Sequence, residues 1–400
     1  MLMLGLALRD LFRDRLFLLC NVAVMAGVLV PLLVLFGVKN GVYQALIGQM
    51  LSNPATLQID TQGNASLTED RIAPLRGWPE VAFLTPRTRS QFDYIFVLPG
   101  EGGPGRMREA LLVPSGRGDP NLPAGLDLGE MDIALSPLLA KQLGVQPGDQ
   151  VRLVTQAENR PRQLVLPVTL RHILPETTAS GRTVLAPLAL LDMVEAFYDA
   201  YALPDWGITD GRPLEARQPI YEGLRVYARR LEDLAPLQER IEAEIGVATS
   251  ARTREVTALL GLGRNLDLAL GLTTVLAGLG LVAALIFGFW SDGLRKRSTL
   301  ATLAMLGLPA HHLALFPLVQ ASVTALLGLG LSFGLYAAGA GAAGRLFGAG
   351  LPPGARIAII APVEAGAICA AVLLLVLLAA GASAWSALRS DPARVLREGS

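Results

Sequence analysis

The chain has 400 residues, of which 52% are hydrophobic and only 17% are charged, and its mean hydropathy is +0.45. Soluble proteins carry about a quarter charged residues, so this composition indicates a membrane protein. The formal net charge is zero, which argues against a nucleic-acid partner. Both cysteines, Cys20 and Cys369, fall in apolar stretches. We therefore expect them to be buried hydrophobic side chains and expect no disulfide in the polar part of the chain.

Four apolar stretches are long enough to cross a bilayer, since a 30 Å hydrocarbon core requires about 20 helical residues. One opens the chain and three close it, with a long polar region between them. The stretches are 16–38, 268–290, 314–343 and 357–381. The corresponding transmembrane helices are assigned to 16–38, 266–290, 313–343 and 357–385. Residues 1–15 predict an amphipathic interfacial helix. The first stretch is too long for a cleaved signal peptide and predicts a retained span.

The polar region 39–265 predicts an α+β domain. Period-two alternation predicts strands at 56–60, 92–98, 151–156, 163–174 and 223–228. Helical patterns occur at 67–76, 136–143, 187–200 and 231–245. The flanking segments 39–54 and 247–267 also have helical character. We expect these two segments to continue the first and second spans beyond the bilayer as stalks.

Two fragments at opposite ends of this region resemble each other. They read TLQID with TEDRIAPLRGWPEVAFLT, and GLRVYA with LEDLAPLQERIEAEIGVAT. Each predicts a strand, a helix and a second strand. We infer that they pair into one membrane-proximal subdomain, about 50–98 and 216–250, with a distal lobe inserted at about 99–215. A chance likeness between two common units is the alternative.

Basic residues near the span ends predict the orientation, because cytoplasmic loops are enriched in lysine and arginine. One side would carry Arg9, Arg13, Arg15, Arg295, Lys296, Arg297, Arg389, Arg394 and Arg397. The other side, in the short loop 344–356 and beside it, would carry only Arg345 and Arg356. This bias predicts that both termini, the tail 386–400 and the loop 291–312 are cytoplasmic. The region 39–265 is then external.

The usual phosphate-binding, metalloprotease and dithiol motifs do not occur in the sequence. It has no GxxxxGK[ST], HExxH or CxxC pattern and only three histidines, which predicts a chain that is not an enzyme and holds no metal. Glu364 is the only acidic residue inside one of the four apolar stretches. An intramembrane carboxylate is a candidate for a proton relay. The favoured alternative is an interfacial position or a pairing with Arg356.

Small residues recur every four positions along two predicted spans. The pattern comprises Gly280, Ala284 and Gly288 in the second span, and Gly330, Gly334, Ala338 and Ala342 in the third. Such faces allow close helix–helix approach in a bundle or a dimer. The alternative is compositional, since glycine and alanine abound in this chain.

The loop SDGLRKRSTLATLAMLGLPAHH (291–312) combines a basic cluster with a helical stripe. Its candidate coupling residues are Arg295, Lys296, Arg297, Leu300, Leu303, Leu306 and Gly307. One interpretation is an amphipathic helix lying on anionic lipid. The functional interpretation is a short helix that a cytoplasmic partner binds.

Three segments resemble one known family. They are the basic cluster followed by LATLAMLGLPAHHLALFPLVQA, the tail SDPARVLREGS, and DIALSPLLAKQLGVQPGDQVRLV at 132–154. Over essentially its whole length the chain resembles permeases of the MacB/LolC/FtsX superfamily, the mechanotransmission (type VII) class of ABC transporters. It departs from that pattern at Ser298 and Thr299, where the family usually has a glutamate. MacB exporters carry a fused ATPase domain, whereas these 400 residues contain no GxxxxGK[ST] motif, so we expect the ATPase to be a separate subunit.

The resemblance implies a dimer, with an identical copy or a homologue, in the bacterial inner membrane. Two separate cytoplasmic ATPase subunits would bind ATP and magnesium, and this chain would bind no cofactor. The implied function is efflux, or extraction of lipoproteins or lipids from the inner membrane by motion of a periplasmic domain. Partners would include a periplasmic adaptor or a lipoprotein. The alternative is a regulator of a periplasmic cell-wall hydrolase that transports nothing; a four-span sensor is a third reading.

Overall fold

The structure is a computed structural model that describes residues 2–90, 93–100, 106–158, 160–179, 181–295, 310–347 and 358–388. The chain divides into two compact units. The first, here called the helical unit, comprises Met1–Ile47 and Leu262–Ser400. The second, the α+β unit, comprises Gly48–Gly261.

Long helices dominate the helical unit. They are α1 (Leu2–Arg13), α2 (Arg15–Leu51), α7 (Thr253–Arg295), α8 (Ala310–Phe347) and α9 (Pro362–Leu388). By length and composition, α2, α7, α8 and α9 could each cross a membrane. This confirms the prediction of four apolar helices, one before and three after the mixed region, and it is compatible with a multi-pass membrane protein. Their common core includes Met25, Leu285, Ala325 and Val376.

Three of these helices, α2, α7 and α8, are longer than a bilayer requires, and α8 has 38 residues. Helix α2 has 37 residues and α7 has 43, which at 1.5 Å per residue correspond to about 55 and 65 Å. A hydrocarbon core is only about 30 Å thick. Helices α2 and α7 therefore each continue well past their apolar parts, as expected for 39–54 and 247–267. The helical continuation is shorter than predicted, since α2 ends at Leu51 and α7 begins at Thr253.

The α+β unit contains ten strands among the described residues. They are β1 (Gln58–Thr61), β2 (Val81–Arg87), β3 (Tyr94–Pro99), β4 (Arg108–Ser115), β5 (Asp132–Leu135), β6 (Gln150–Thr155), β7 (Leu164–Ile173), β8 (Thr183–Pro187), β9 (Gly223–Ala228) and β10 (Thr249–Ala251). The helices between them are α3 (Glu69–Arg76), α4 (Pro137–Leu143), α5 (Leu188–Tyr198) and α6 (Leu234–Ile245). The α+β class is as predicted.

Helix boundaries in this unit follow local signals. Helix α4 begins after Ser136, whose hydroxyl accepts a hydrogen bond from the Leu139 amide, and Pro137 takes the first helical position. It ends at Gly144, which has a φ of 68°. Helix α6 ends in the same way at Gly246, with a φ of 75°. Glycine adopts this left-handed conformation without a steric penalty from a Cβ.

A four-stranded antiparallel sheet joins the two similar fragments. Its order is β10-β1-β9-β2, so strands from the two fragments alternate across the sheet. Ile59 of β1 lies opposite Val226 of β9, and Ile59 also lies opposite Ala251 of β10. Strand β9 is buried along its whole length, whereas β1, the other inner strand, is buried only at alternate residues.

The remaining six strands form a closed barrel with the order β3-β4-β8-β5-β7-β6. Strand β7 alternates buried and more exposed side chains over residues 164–170, as expected for a strand with one face toward a barrel interior. The interior is apolar and includes Val97, Leu153 and Leu166. Helix α5 contributes Val194 and Phe197 to the same core.

Three features differ from expectation. Strand β3 pairs with β4 and β6 in the barrel, although the boundary predicted at 98 placed it with the first subdomain. Strands β4, β5 and β8 were not predicted. For β5 and β8 the reason is that they are buried almost continuously and lack the alternation that marks a half-buried strand. Helix α9 begins at Pro362 rather than at 357, since proline favours the first helical position.

Candidate functional site

The predicted coupling residues lie at a gap in the described chain. Helix α7 ends at Arg295 and α8 begins at Ala310. The ends of the predicted loop 291–312 are therefore helical. Its other candidates, Lys296, Arg297, Leu300, Leu303, Leu306 and Gly307, lie outside the described residues. The same holds for the basic tail residues Arg389, Arg394 and Arg397.

The predicted small-residue faces are largely uncovered in the single chain. Gly330, Gly334 and Ala338 on α8 are exposed, as are Gly280 and Ala284 on α7. A Cβ built on any of the three glycines would meet nothing within 4 Å. These faces thus leave room for a neighbouring helix.

Close packing inside the helical unit uses other glycines. A Cβ on Gly328 would lie 2.9 Å from the sulfur of Met25, and one on Gly37 would clash with the Tyr336 ring. Of the predicted positions, only Gly288 behaves this way, with Asn21 Oδ1 at 2.9 Å from its Cβ position. Gly37 and Gly328 were missed because a glycine opposite a large residue on another helix leaves no periodic signal.

Glu364 stabilises the start of α9. Its carboxylate accepts a hydrogen bond from the Ala361 amide at 3.1 Å, the reciprocal half of a capping box. It also accepts two hydrogen bonds from the Asn40 side chain on α2, at 3.0 and 3.3 Å. The suggested partner Arg356 lies outside the described residues. The contacts of Glu364 are those of a helix cap that also joins two helices.

A buried glutamine on α8 forms hydrogen bonds with α1. Gln320, which is 5% exposed, donates from Nε2 to the Ala7 carbonyl at 3.1 Å and to Asp10 at 3.0 Å. Ala7 and Leu11 are completely or almost completely buried. Residues 1–15 were predicted to form an amphipathic interfacial helix, and the structure adds that one face of α1 packs on α8. A lone glutamine in an apolar span could have signalled such a contact.

The extended helices α2 and α7 touch each other past their apolar parts. Lys39 Nζ lies 2.6 Å from Asp267 Oδ1. A Cβ on Gly263 would fall against the ring of Tyr43, so the two backbones approach closely there. The helices are thus paired at the start of the predicted stalks.

In the α+β unit, a buried cluster holds both chain crossings between the sheet and the barrel. The crossings are residues 88–93, from β2 to β3, and 217–222, which lead into β9. Glu195 of α5, with 2% of its side chain exposed, accepts hydrogen bonds from the Arg89 amide at 2.7 Å and from Arg217 Nη2 at 2.9 Å. One carboxylate of the barrel therefore binds both crossings.

Neighbouring acids complete this junction cluster, which we define as Arg89, Asp192, Glu195, Asp199, Arg217 and Tyr221. Asp199 Oδ2 lies 2.6 Å from Arg89 Nη2. Asp192 accepts a hydrogen bond from the Tyr221 hydroxyl at 3.2 Å and lies 3.6 Å from Arg217. Burial raises the pKa of Asp192 against the lowering effect of Arg217. Buried charges are tolerated only when paired and hydrogen-bonded in this way.

Asp93 lies beside the cluster in the first crossing. Burial raises its pKa to about 6, with Arg87 opposing that rise and the negative charges of Glu222 and Glu195 adding to it. Its Oδ1 atom is buried and has no hydrogen-bond partner among the described residues. A buried carboxylate oxygen without a hydrogen-bond partner favours the protonated form of the Asp93 side chain.

A second buried pair joins the sheet to the barrel. Arg225 of β9 contacts Asp119, and both side chains are almost fully buried. Asp119 also accepts hydrogen bonds from the Ser115 hydroxyl at 2.7 Å and the Asn121 amide at 2.9 Å. Asn121 in turn donates to the Tyr227 hydroxyl at 2.8 Å. Sheet and barrel are therefore tied at two separate points, and neither was predicted, because both depend on residues more than a hundred positions apart.

The described residues contain no group of three or more His, Cys, Asp or Glu side chains placed to hold a metal ion. Both cysteines are free and lie in the apolar helices α2 and α9. Cys20 is exposed and Cys369 is half-buried in the single chain, so the expectation that both are buried is wrong. Comparison of the chain with protein-family models and with curated proteins gives no match. The geometry available for a functional assignment is therefore the pairing of α2 with α7 in the helical unit and, separately, the ion pairs between sheet and barrel in the α+β unit.

Proposed function

We propose that this chain is the permease subunit of an ABC transporter of the mechanotransmission class. It would couple ATP hydrolysis by a separate cytoplasmic ATPase to motion of its α+β unit in the periplasm. The work done would be efflux, or extraction of a lipoprotein or lipid from the inner membrane. The chain itself would carry no catalytic site, and ATP and magnesium would bind to the ATPase subunit.

One observation carries this proposal. The division between the two units falls inside α2 and inside α7, so both connections between them are continuous helix. A helix resists bending and transmits displacement along its axis, whereas a flexible linker would absorb it. A carrier that moved a solute between its spans would have no need of such connections.

Other features support the same function. The Lys39–Asp267 ion pair and the Tyr43–Gly263 approach hold the two helices side by side. Within the α+β unit, the junction cluster and the Asp119–Arg225 pair brace the sheet against the barrel. Displacement delivered to this unit would therefore move sheet and barrel together.

The orientation and the assembly are part of the proposal. The distribution of basic residues supports a cytoplasmic location for both termini and for the 291–312 loop, where Leu300, Leu303 and Leu306 would contact the ATPase. The exposed face at Gly330 and Gly334 would pack against a second copy or a homologous permease.

Purification of the full chain from its own membranes tests the proposal. We expect it to retain a P-loop ATPase whose hydrolysis it stimulates. Replacing Leu303 and Leu306 together by Asp is expected to abolish that stimulation, because charges replace the apolar contact surface, while thermal unfolding of the α+β unit stays unchanged.

The matched control replaces the same two leucines by isoleucine and should retain stimulation. Recovery of the chain without any ATPase would contradict the proposal. Unchanged hydrolysis in the Asp variant would show that the loop only lies on lipid.

A further inference from the structure

Asp93 is poorly compensated for its burial at the joint between the sheet and the barrel. Its Oδ1 atom and Nε of Arg87 are both buried, and neither has a hydrogen-bond partner among the described residues. The neighbouring carboxylates differ, since Glu195 and Asp199 both contact Arg89 directly. The negative charge of Asp93 is therefore the one that this joint accommodates least well.

Backbone hydrogen bonds show which groups meet at Asp93. The Leu112 amide of β4 donates to the Asp93 carbonyl at 2.6 Å, so the barrel holds the Asp93 backbone. The Glu222 amide donates to the carbonyl of Arg87, the last residue of β2, at 3.1 Å, so these two residues belong to the end of the sheet. Glu222 also accepts hydrogen bonds from the amide and hydroxyl of Ser90, at 2.9 and 3.1 Å. The Asp93 side chain thus lies where the sheet end meets the barrel.

Groups from β2, from both crossings and from α5 act on the Asp93 carboxyl. Arg87 and the Thr88 hydroxyl favour its ionised form, whereas Glu222 and Glu195 disfavour it. Burial has a larger effect than any of them and raises the pKa of Asp93 to about 6. Because burial is the main cause, the carboxyl would regain its ordinary pKa if the sheet end moved away and admitted water.

We propose that the joint is a proton-controlled hinge, which is closed while Asp93 is protonated and opens when Asp93 releases its proton to water. The contact between Asp119 and Arg225, the second tie between sheet and barrel, would remain and serve as the pivot. Hinges of this kind require only a few residues at the ends of elements to change conformation. The inference does not depend on the proposed transport function, because it concerns only residues of the α+β unit.

Thermodynamic linkage gives the direction and the size of the effect. The closed joint binds the Asp93 proton more tightly than an open joint would, so low pH favours the closed joint. The pKa of Asp93 is about 6 in the closed joint, and a hydrated aspartate has a pKa of about 3.9. These two values predict that the ratio of open to closed joints rises about tenfold between pH 5 and pH 7.5.

Pulsed electron spin resonance on the full chain in nanodiscs tests this inference. Spin labels are attached at two exposed positions, Lys141→Cys on α4, which packs on the barrel, and Glu239→Cys on α6, which bonds to β10. Cys20→Ala and Cys369→Ala remove the two native thiols. We expect a second label distance whose population relative to the first rises about tenfold from pH 5 to pH 7.5 and levels off above about pH 6.

Three variants at the joint separate ionisation of Asp93 from other effects. Asp93→Asn should keep the closed distance at both pH values. Arg87→Gln should move the levelling-off point to higher pH, because it removes a positive charge. Glu222→Gln should move it to lower pH, because it removes a negative charge while glutamine can still accept the bonds from Ser90. Asp205→Asn, at an exposed aspartate, is the matched control and should behave like the wild type.

Three results would overturn the proposal. The first is a label distance distribution that does not change between pH 5 and pH 7.5. The second is a pH response that persists in the Asp93→Asn variant. The third is a shift of the same sign in the Arg87→Gln and Glu222→Gln variants, since opposite charges must act in opposite directions on the Asp93 proton.

Discussion

In the helical unit, most buried polar side chains bond within their own helix, and Gln320, which reaches α1, is the exception. In the α+β unit, the buried charges Glu195 and Arg225 join segments far apart in sequence. Thr324 and Ser332 each donate to the carbonyl four residues earlier in their own helix. Glu195, in contrast, binds residues from two separate chain crossings. The helical unit also leaves Leu272 and Phe287 largely exposed, as suits helices surrounded by lipid.

The difference follows from what each environment offers. An apolar helix in lipid already satisfies its backbone internally, and a polar side chain costs least when it bonds to that backbone. Between two water-exposed lobes, buried ion pairs give little net stability but become costly when one member is removed. The α+β unit should therefore respond strongly to loss of a single charge, and the helical unit should not.

Glu195→Gln is the strongest test of this contrast. The change keeps the volume of the side chain but leaves Arg89 and Arg217 without their shared carboxylate. We expect a loss of about 3 kcal/mol in the free energy of unfolding of the α+β unit, at the low end for buried pairs because Asp192 and Asp199 remain. Urea unfolding followed by the fluorescence of Trp206 would measure it.

Glu176→Gln serves as the control, since Glu176 is exposed and its loss should have no effect. Equal stability of the Glu195→Gln variant and the wild type would show that the junction cluster does not hold the crossings.

Asp93→Asn should change the pH dependence of the same unit. The folded-state pKa of Asp93 is about 6, above the unfolded value near 3.9, so the native state binds the extra proton. Its contribution to stability is then present below about pH 4 and is lost as the pH rises to about 6. The variant should be about 1–2 kcal/mol more stable than wild type at pH 7.5, after allowance for partial exposure.

Unfolding in urea at pH 4.5 and 7.5 measures this effect. The gain should shrink at the lower pH. A gain of the same size at both values would indicate that Asp93 acts through something other than its protonation.

Glu364→Ala should cost the helical unit about 1 kcal/mol, the usual value of a helix cap. Glu364→Gln is the matched variant, because glutamine also serves in a capping box. Thermal unfolding in detergent should separate the alanine variant from wild type but not the glutamine variant. If glutamine abolished transport while stability stayed unchanged, Glu364 would be a proton-relay group instead of a cap.

Gly334→Leu should have the smallest effect on folding, since a Cβ at Gly334 meets nothing within 4 Å. It should instead weaken association of two copies about tenfold by blocking the small-residue face. Gly339→Leu is the matched control, at an exposed glycine on another side of α8. Mass measurement in nanodiscs would report both, and equal dimer fractions would assign no packing role to Gly334.

Sequence patterns predicted the elements that local physics determines. The four apolar helices, β7 with its alternation, and the end of α6 at Gly246 each depend on neighbouring residues. The likeness of the two fragments also anticipated that strands from both ends of the region would share one sheet. The closed barrel was not predicted, because strand order and closure are set by contacts between distant segments.

The candidate site was less accessible to sequence reasoning. In the sequence, Glu195 is indistinguishable from any other acidic residue of a helix. Only the folded structure shows that Arg89 and Arg217 contact its carboxylate. The sequence around Gly328 likewise does not indicate that it packs against Met25 of another helix. The predicted coupling residues from Lys296 to Gly307 lie outside the described structure and stay predictions.

The interleaved sheet has a consequence for synthesis of the chain. Strand β1 cannot pair until β9 and β10 have been synthesised. Its partner residues in those two strands lie more than 160 positions later in the chain. All six barrel strands lie between residues 94 and 187, so the barrel can close on itself while β1 is still unpaired. The barrel would then fold first, and the four-stranded sheet would form after it. The sheet would close last, just before the second long helix leaves the ribosome.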